Sequence, residues 1–565
     1  MHPPSPRHVV IIAVIIALSA VSLTARSLVP VGMGRSPLDG GLFIRQATYL
    51  AHGQWLGPFD RLTLAKGSSY PALIAITNRV GLPLMTAQQL TYLLAAGCVA
   101  ACLFAATGRT LASVCGYGVL ALNPVNFDGP SSAVNRDAWT AALALLFVAA
   151  TFLSIFIALK GSRPYWAVPI AALAGLSGAA FWLCREESAW LLPSLAVIAL
   201  GLPTLNLATR WFAVDRPRPT RRQIARAAVP AATVFALVAV TFGGPLWFVS
   251  SQNQSHYATP LTSDTANGQF SRAYGAWMRV RVGAPSFRVP IDAAQRSAVY
   301  AVSPAALELR PYLEAPADRW IRLGCSSTPC DLAGAFTEWA LRDATANAGH
   351  LSTEAAAQEF FGQLADQIGT ACAERRLRCR PALPPALEVL ELVTPDQVIG
   401  SIGNQLRAAL ASRDYYMPGT TQPPTLPAPY RAKARAMVPA LPTTDTDAAR
   451  QARLFRSHDR PYRLLGMLYW LLTPALLAIG LAAGAYRASR RRRLPGPLSV
   501  LTLALVVGVL TRLVVLALVD TSEFTVSSGR YGLPTVHFLI TVAVVSAVPV
   551  VARLIAARRP GGSAQ

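Results

Sequence analysis

The sequence predicts an all-α polytopic membrane protein of about ten transmembrane helices, carrying one large and mainly helical extracytoplasmic insert. Three observations predict it. Of the 565 residues, 53% are hydrophobic and only 14% charged, where an average soluble domain has roughly 45–50% and about 25%. Several runs are apolar for the roughly 20 residues that a helix needs to cross a hydrocarbon core. The basic residues gather in short connections between those runs, the pattern that sets orientation in a membrane.

Taken in order, the runs lie near residues 9–28, 86–107, 137–159, 164–183, 188–205, 225–249, 461–485, 497–518 and 533–556, with a shorter tenth at 111–123. The first is too long, and its flank too poor in a small-residue cleavage site, for a signal peptide, so it counts as a span. Arg210, Arg216, Arg218, Arg221, Arg222 and Arg226 crowd one connection, and Arg487 with Arg490 to Arg493 crowd another. Lys160 with Arg163, and Arg553 with Arg558 and Arg559, mark two more. Placing all four clusters on the cytoplasmic side puts both termini inside, provided that the short apolar stretch 70–84 dips into the membrane or lies at the interface instead of crossing. The net charge of +23 is then a consequence of topology, and no nucleic-acid partner is expected.

This threading divides the chain into an N-terminal membrane core, 1–250, with an outer loop at 29–85; an extracytoplasmic domain, 251–460; and C-terminal spans with a cytoplasmic tail, 461–565. The insert shows helical passages at Phe336–Asn347 and Thr353–Ala373, the second entered through Ser352 with Glu354 in its first turn. From Gly419 to Thr444 the chain is rich in Pro and Thr and reads as an extended linker or surface strand. Cys98, Cys102, Cys115 and Cys184 fall in or beside apolar spans. Cys325, Cys330, Cys372 and Cys379 form an even set in the insert, where an oxidising exterior favours two disulfides. Four cysteines permit three connectivities, of which the local pairs 325 with 330 and 372 with 379 are favoured. Zinc is the rival reading, but no histidine lies at ligand spacing.

The chain contains seven scattered histidines and three lysines, with no His-Glu-x-x-His and no Gly-rich phosphate loop, which leaves metalloprotease and ATPase readings without their parts. What remains are charged residues at the outer ends of spans, where ionisable groups beside hydrocarbon are costly and often functional. The first outer loop carries Asp39 ahead of an amphipathic helix with Ile44, Ala47, Leu50 and Ala51 on one face, then Lys66. The second carries Asp128, Arg136 and Asp137. Arg185-Glu186-Glu187 lies at another outer helix end, and Ser528-Gly529-Arg530-Tyr531-Gly532-Leu533-Pro534 opens the last span.

This placement resembles the GT-C superfamily, membrane glycosyltransferases that use sugars linked to polyprenyl phosphates, in which an Asp after the first span precedes interfacial helices. The Arg-Tyr-x-x-Pro entry at 530–534 is similar to that of many GT-C-like proteins. The likeness covers residues 9–250 and 461–556, and is one of placement more than of strict signature. It implies a transferase that moves a sugar from a polyprenyl-phosphate donor to a glycan, lipid or protein acceptor of the envelope, on the outer side of a bacterial cytoplasmic membrane. Asp39 is then the expected general base, with Arg530, Lys66 and Arg136 on the donor phosphate, and Asp128, Asp137, Arg185, Glu186, Glu187 and Tyr531 as further candidates. The chain departs from the pattern in that its Asp-x-Asp, Asp445-Thr446-Asp447, follows the Pro-rich stretch and does not stand at an outer helix end. No cofactor is therefore assigned, and a divalent cation stays open.

Each candidate also has a structural reading. Asp39 can cap the helix that follows it, and Arg530 can anchor its span or pair with Glu523. Arg185, Glu186 and Glu187 can neutralise one another, Asp137 suits a helix start, and Lys66 can snorkel to the headgroups. Two rival functions stand beside the transferase: a transporter or flippase of lipid-linked glycans, and a non-catalytic envelope assembly protein. Transporters commonly show internal repeats, and no repeat relates the two halves.

Overall fold

The computed structural model describes residues 6–33, 39–161, 164–211, 220–283, 287–315, 320, 331–332, 334–382, 392–411, 428–442, 444–457, 459–489, 496–523, 526 and 529–557. Its regular structure is helical, and the only strand-like pairings among the described residues are two isolated bridges, Gly32 with Ala133 and Val280 with Cys379. Nine described helices are long and apolar enough to cross a membrane, so the chain is a multi-pass membrane protein.

The first half contains α1 (Pro6–Leu28), α2 (Gly40–Ala51), α3 (Ser69–Arg79), α4 (Leu84–Thr107), α5 (Thr110–Ala121), α6 (Gly129–Ser132), α7 (Asp137–Lys160), α8 (Ala167–Trp182), α9 (Leu192–Trp211) and α10 (Arg221–Tyr257). The almost wholly buried α7 is the axis of the bundle and packs against α4, α8 and α10. Peripheral helices turn large apolar side chains outward, among them Val10 and Ile16 on α1 and Val240 and Trp247 on α10. Such a surface suits lipid rather than water.

Two short elements bear on the predicted topology. With 11 residues, α3 spans only about 17 Å at 1.5 Å per residue, so 70–84 does not cross, as the sequence reading required. The predicted tenth span is α5, whose 12 residues also fall short of a full crossing. It nevertheless climbs the bundle beside α1. Ser19 and Tyr117 share a hydrogen bond of 2.6 Å, and Ser22 Oγ donates to the Ala121 carbonyl. Its end therefore reaches the same bundle end as the C-terminus of α1, and residues 123–136 join the segment after α1 there, where Gly32 bridges to Ala133.

The insert holds α11 (Gln269–Met278), α12 (Ala293–Tyr300), α13 (Pro304–Leu313), α14 (Gly334–Asn347), α15 (Glu354–Ala373), α16 (Pro395–Ala411), α17 (Ala428–Met437) and α18 (Asp445–Arg456). Its first part has its own core of Phe270, Trp277, Leu309, Leu341, Phe361 and Leu364, joined by Leu42 of α2 and Leu62 of the loop after it. Cys372 and Cys379 form a disulfide; the expected partner pair, Cys325 and Cys330, lies outside the described residues. Its second part lies on the bundle instead. Ala409, Ala434, Met437 and Leu441 belong to the core of the membrane helices, and α17 packs on α2 and α3.

That second part corrects one expectation. Within the Pro- and Thr-rich stretch 419–444, residues 428–437 are the helix α17. Pro429 sits in its first turn, where a missing N–H costs nothing. The chain then closes with α19 (Arg460–Ser489), α20 (Pro497–Ser522) and α21 (Leu533–Ala557).

The insert is strapped to the loop between α2 and α3 at the place that matters for the site. Arg342, fully buried on α14, pairs with Asp264 at 2.6 Å and donates to the Arg61 carbonyl. Asp264 N–H reaches Leu64 O, and Thr265 Oγ1 reaches Ala65 O. Tyr257, at the end of α10, donates to Gly57 O. Residues 57–65 are thus fixed from two sides just before Lys66.

Candidate functional site

Asp39 opens α2, and its carbonyl accepts the Phe43 N–H as the first helical bond. Its side chain makes no cap hydrogen bond. The carboxylate turns to two cations: Oδ1 pairs with Lys66 Nζ, and Oδ2 lies 3.2 Å from Arg530 Nη2. The capping reading therefore does not describe this residue.

Lys66 is positioned by its neighbours. Gly67 lies so close to the backbone after α8 that a Cβ there would stand 2.1 Å from the Leu183 carbonyl oxygen. No other residue fits that approach. The Gly67 N–H donates to Glu186 Oε1 at 3.2 Å, and Ser69 Oγ donates to Ala180 O at 2.7 Å. The Lys66 ammonium then stands 5.9 Å from the Phe43 ring and 5.4 Å from the Trp339 ring, distances at which an aromatic face attracts a cation. It is turned inward, not snorkelling to headgroups.

Arg530 joins the last span to the same point. Besides Asp39 it faces Asp137 Oδ2 at 3.8 Å and donates to the Tyr531 hydroxyl at 2.7 Å. It does not pair with Glu523. Asp137, the first residue of α7, pairs with Arg185, and Arg185 Nε lies 2.7 Å from Glu187 Oε1. Arg512, from within α20, reaches the same Glu187 oxygen at 3.2 Å and donates to the Tyr531 carbonyl. Arg136 grips Glu186 with two hydrogen bonds of 2.8 and 2.7 Å, the fork geometry that suits a guanidinium to a carboxylate.

Of the residues expected from the sequence, Asp39, Lys66, Arg136, Asp137, Arg185, Glu186, Glu187, Arg530 and Tyr531 thus meet in one region at the loop end of the bundle. Asp128 serves elsewhere. It caps α6 by accepting the Ser131 N–H at 2.8 Å, and burial pushes its carboxyl up to about 7. Asp447, from the Asp-x-Asp at the start of α18, donates its backbone N–H to Thr444 Oγ1, and its carboxylate faces Arg450 at 3.4 Å.

Three participants were missed. Arg512 is a charge inside an otherwise apolar run, a signal that intramembrane ionisable groups carry by default. Phe43 and Trp339 supply the aromatic faces around Lys66 and carry no signal beyond aromaticity.

The electrostatics follow from the partners. Burial pushes the Asp39 carboxyl up, but the attraction of Lys66 and Arg530 outweighs it and holds the group well below the usual carboxylate range. Burial lowers the Lys66 ammonium, with Asp39 opposing. Glu186 and Glu187 are held down against burial by Arg136 and by Arg185 respectively. Five cations (Lys66, Arg136, Arg185, Arg512, Arg530) thus interlock with four carboxylates (Asp39, Asp137, Glu186, Glu187).

No family model, no curated protein and no solved structure matches the chain.

The chemistry of the arrangement is therefore read from its groups alone. One positive charge remains when the ions of the network are summed, and aromatic rings flank its most accessible cations. Arg530 is about a third exposed, against 2% for Arg512. An anion that reached the site would meet Arg530 and Lys66 first and would compete with Asp39 for both.

Proposed function

We propose that the protein is a GT-C-like glycosyltransferase, which moves a sugar from a polyprenyl-phosphate donor to an acceptor hydroxyl on the outer side of a bacterial cytoplasmic membrane. In this reading both termini are cytoplasmic and residues 251–460 are extracytoplasmic. The observation that carries it is Asp39 held between Lys66 and Arg530 at the loop end of the bundle, where a lipid-linked phosphate arriving from the membrane would meet them.

The expected steps use only these groups. The donor phosphate takes over Lys66 and Arg530, whose charges stabilise the phosphate as it leaves. Asp39, released from its partners, accepts the proton of the attacking hydroxyl. The acceptor oxygen bonds to the anomeric carbon, the bond from that carbon to the phosphate oxygen breaks, and the phosphate keeps the electron pair. Without donor, the carboxylate stays clamped and is a poor base. That arrangement limits reaction until the lipid phosphate is in place.

The test is the envelope-glycan composition of a strain whose only copy carries Asp39→Asn, with abundance followed by immunoblot. The transferase reading expects a missing sugar at normal abundance, a loss of about 10²–10⁴-fold for removing a general base. An unchanged glycan profile, alongside a defect in the null strain, would transfer the weight to a flippase or assembly role.

A further inference from the structure

At the bundle end that carries the ion network, α18 and the first turn of α19 turn a row of arginines outward. On α18, Ala448 and Phe455 are buried, while Arg450, Arg453, Leu454 and Arg456 are exposed. Arg460 and Arg463, both exposed, open α19. Phe455 fixes the two helices to each other. Its ring lies 5.1 Å from that of Tyr462, with Val29 and Phe127 in the same cluster. The Tyr462 hydroxyl donates to the Ala25 carbonyl, near the end of α1, at 2.8 Å.

These arginines head a lipid-facing stripe. On α19, Leu464, Met467, Leu468 and Leu471 recur at helical spacing and are each more than half exposed, a surface that suits acyl chains. Arg460 and Arg463 stand four residues before Leu464 and Met467, on the same helix faces. An apolar stripe that ends in long basic side chains marks the level at which acyl chains give way to headgroups. On α18, Leu454 is 62% exposed between arginines, the mixture that interfacial helices present to a membrane. The charges are little used within the chain. Arg450 faces Asp447 and stays 70% exposed, and Arg463 pairs with Asp459 and stays 58% exposed. The side chains of Arg453 and Arg460 have no ion pair or hydrogen bond among the described residues. Five arginines against three aspartates in 445–463 leave the surface positive. Orientation does not account for it, because in the topology proposed above this end is extracytoplasmic, and the basic bias of short connections belongs to the cytoplasmic side.

We propose that Arg450, Arg453, Arg456, Arg460 and Arg463, with Leu454, form a docking surface for anionic phospholipid headgroups of the outer leaflet. The chemistry selects the occupant. A guanidinium forks onto phosphate oxygens, and a phospholipid presents its phosphate where the apolar stripe of α19 ends. A zwitterionic headgroup carries its own cation and leaves the positive surface uncompensated. A soluble polyanion would meet the arginines but leaves Leu454 and the stripe below them without a partner. Docking here seats the second part of the insert, which rests on α2 and α3 through α17, on the membrane surface. The inference uses the topology proposed above and not the transferase chemistry.

The test uses the full-length protein in nanodiscs of phosphatidylcholine and phosphatidylglycerol, with a trace of one or the other lipid carrying a photoreactive headgroup, and maps the cross-linked peptides. Wild type is compared with a triple variant, Arg450→Gln, Arg453→Gln and Arg456→Gln, and with a double variant, Arg460→Gln and Arg463→Gln. All five side chains are exposed, so the fold is retained. Phosphatidylglycerol is expected to label 445–463 of the wild type several-fold more than phosphatidylcholine does. That labelling falls on the order of tenfold or more in the triple variant, since each basic residue near an anionic surface contributes about a fivefold preference. Labelling at the separate basic cluster 487–493 stays unchanged, which shows that the variants fold and insert. Equal labelling of 445–463 by the two lipids in the wild type, or phosphatidylglycerol labelling that persists in both variants, would overturn the surface. The leaflet is read separately: in spheroplasts a membrane-impermeant maleimide is expected to label Ala449→Cys. Labelling only after lysis would overturn the outer-leaflet placement together with the topology, whatever the cross-links show.

Discussion

Two buried ion networks in this molecule look alike in a list of contacts and differ in construction. In the insert, Arg296 is 3% exposed and binds Glu314 at 2.6 Å and Asp331 at 2.7 Å. Tyr300 donates to Glu314 at 2.9 Å, and Arg296 also donates to the Ile291 carbonyl. Every member comes from residues 291–331, two carboxylates answer one cation, and the guanidinium is spent on fixed local acceptors. At the bundle end, the network draws on residues from 39 to 530, and cations outnumber carboxylates by five to four. A local, acid-rich network fixes a fold; a long-range one with surplus positive charge and accessible members can exchange partners with an anion.

The comparison predicts opposite consequences for the two. Asp39→Asn gives the largest expected effect, an activity loss of about 10²–10⁴-fold with the protein still folded. Arg296→Met acts in the other currency. It leaves Glu314 and Asp331, 34% and 19% exposed, without their cation, and because both carboxylates keep some contact with water the cost is about 1–3 kcal/mol of stability, read as a lowered unfolding midpoint of the full-length protein. Should Asp39→Asn unfold the chain while Arg296→Met abolishes activity without loss of stability, the assignment of roles is reversed.

Arg530→Gln sharpens the donor side. Removing one preorganised donor to a developing charge lowers activity by about 10²–10³-fold, and binding of a polyprenyl phosphate weakens in parallel.

The pH dependence of stability separates Glu338 and Glu523 from both networks. Glu338 and Glu523, raised by burial to about 7 and about 8, hold protons in the folded state that the unfolded chain gives up in the ordinary Glu range. Their contribution is present at low pH and is lost as pH rises toward 7 to 8. The unfolding temperature of the wild type therefore falls from about pH 5 to about pH 8, and falls less in a Glu338→Gln and Glu523→Gln double variant. The smallest effect belongs to Arg272 and Asp366, a pair 50% and 65% exposed. Asp366→Asn changes stability by under about 1 kcal/mol.

Much of this was legible in the sequence, for definable reasons. Long apolar runs and basic connections fix the spans because the membrane imposes length and charge on each segment separately. The outer charges were legible because a carboxylate or guanidinium at a span end is conspicuous. What each of them does was not. Whether Asp39 caps α2 or faces cations depends on Lys66, 27 residues away, and Arg530, 491 residues away. The α17 helix was read as extended because Pro429 and its Pro-rich approach signal a linker, although Pro is tolerated in a first helical turn. Helix α15 begins one residue later than its sequence signal, with Thr353 accepting the Ala356 N–H as the cap. Neighbouring Ser and Thr compete equally for that role. The approach of the first turn of α14 to Glu523 was invisible, since it depends on the absent side chain of Gly334.

The most direct test of the central claim is a structure of the full-length protein with undecaprenyl monophosphate bound. The account predicts the phosphate within hydrogen-bonding distance of Lys66 and Arg530, with Asp39 released from both. A phosphate bound elsewhere on the molecule, with Asp39 still clamped between its two cations, would contradict it.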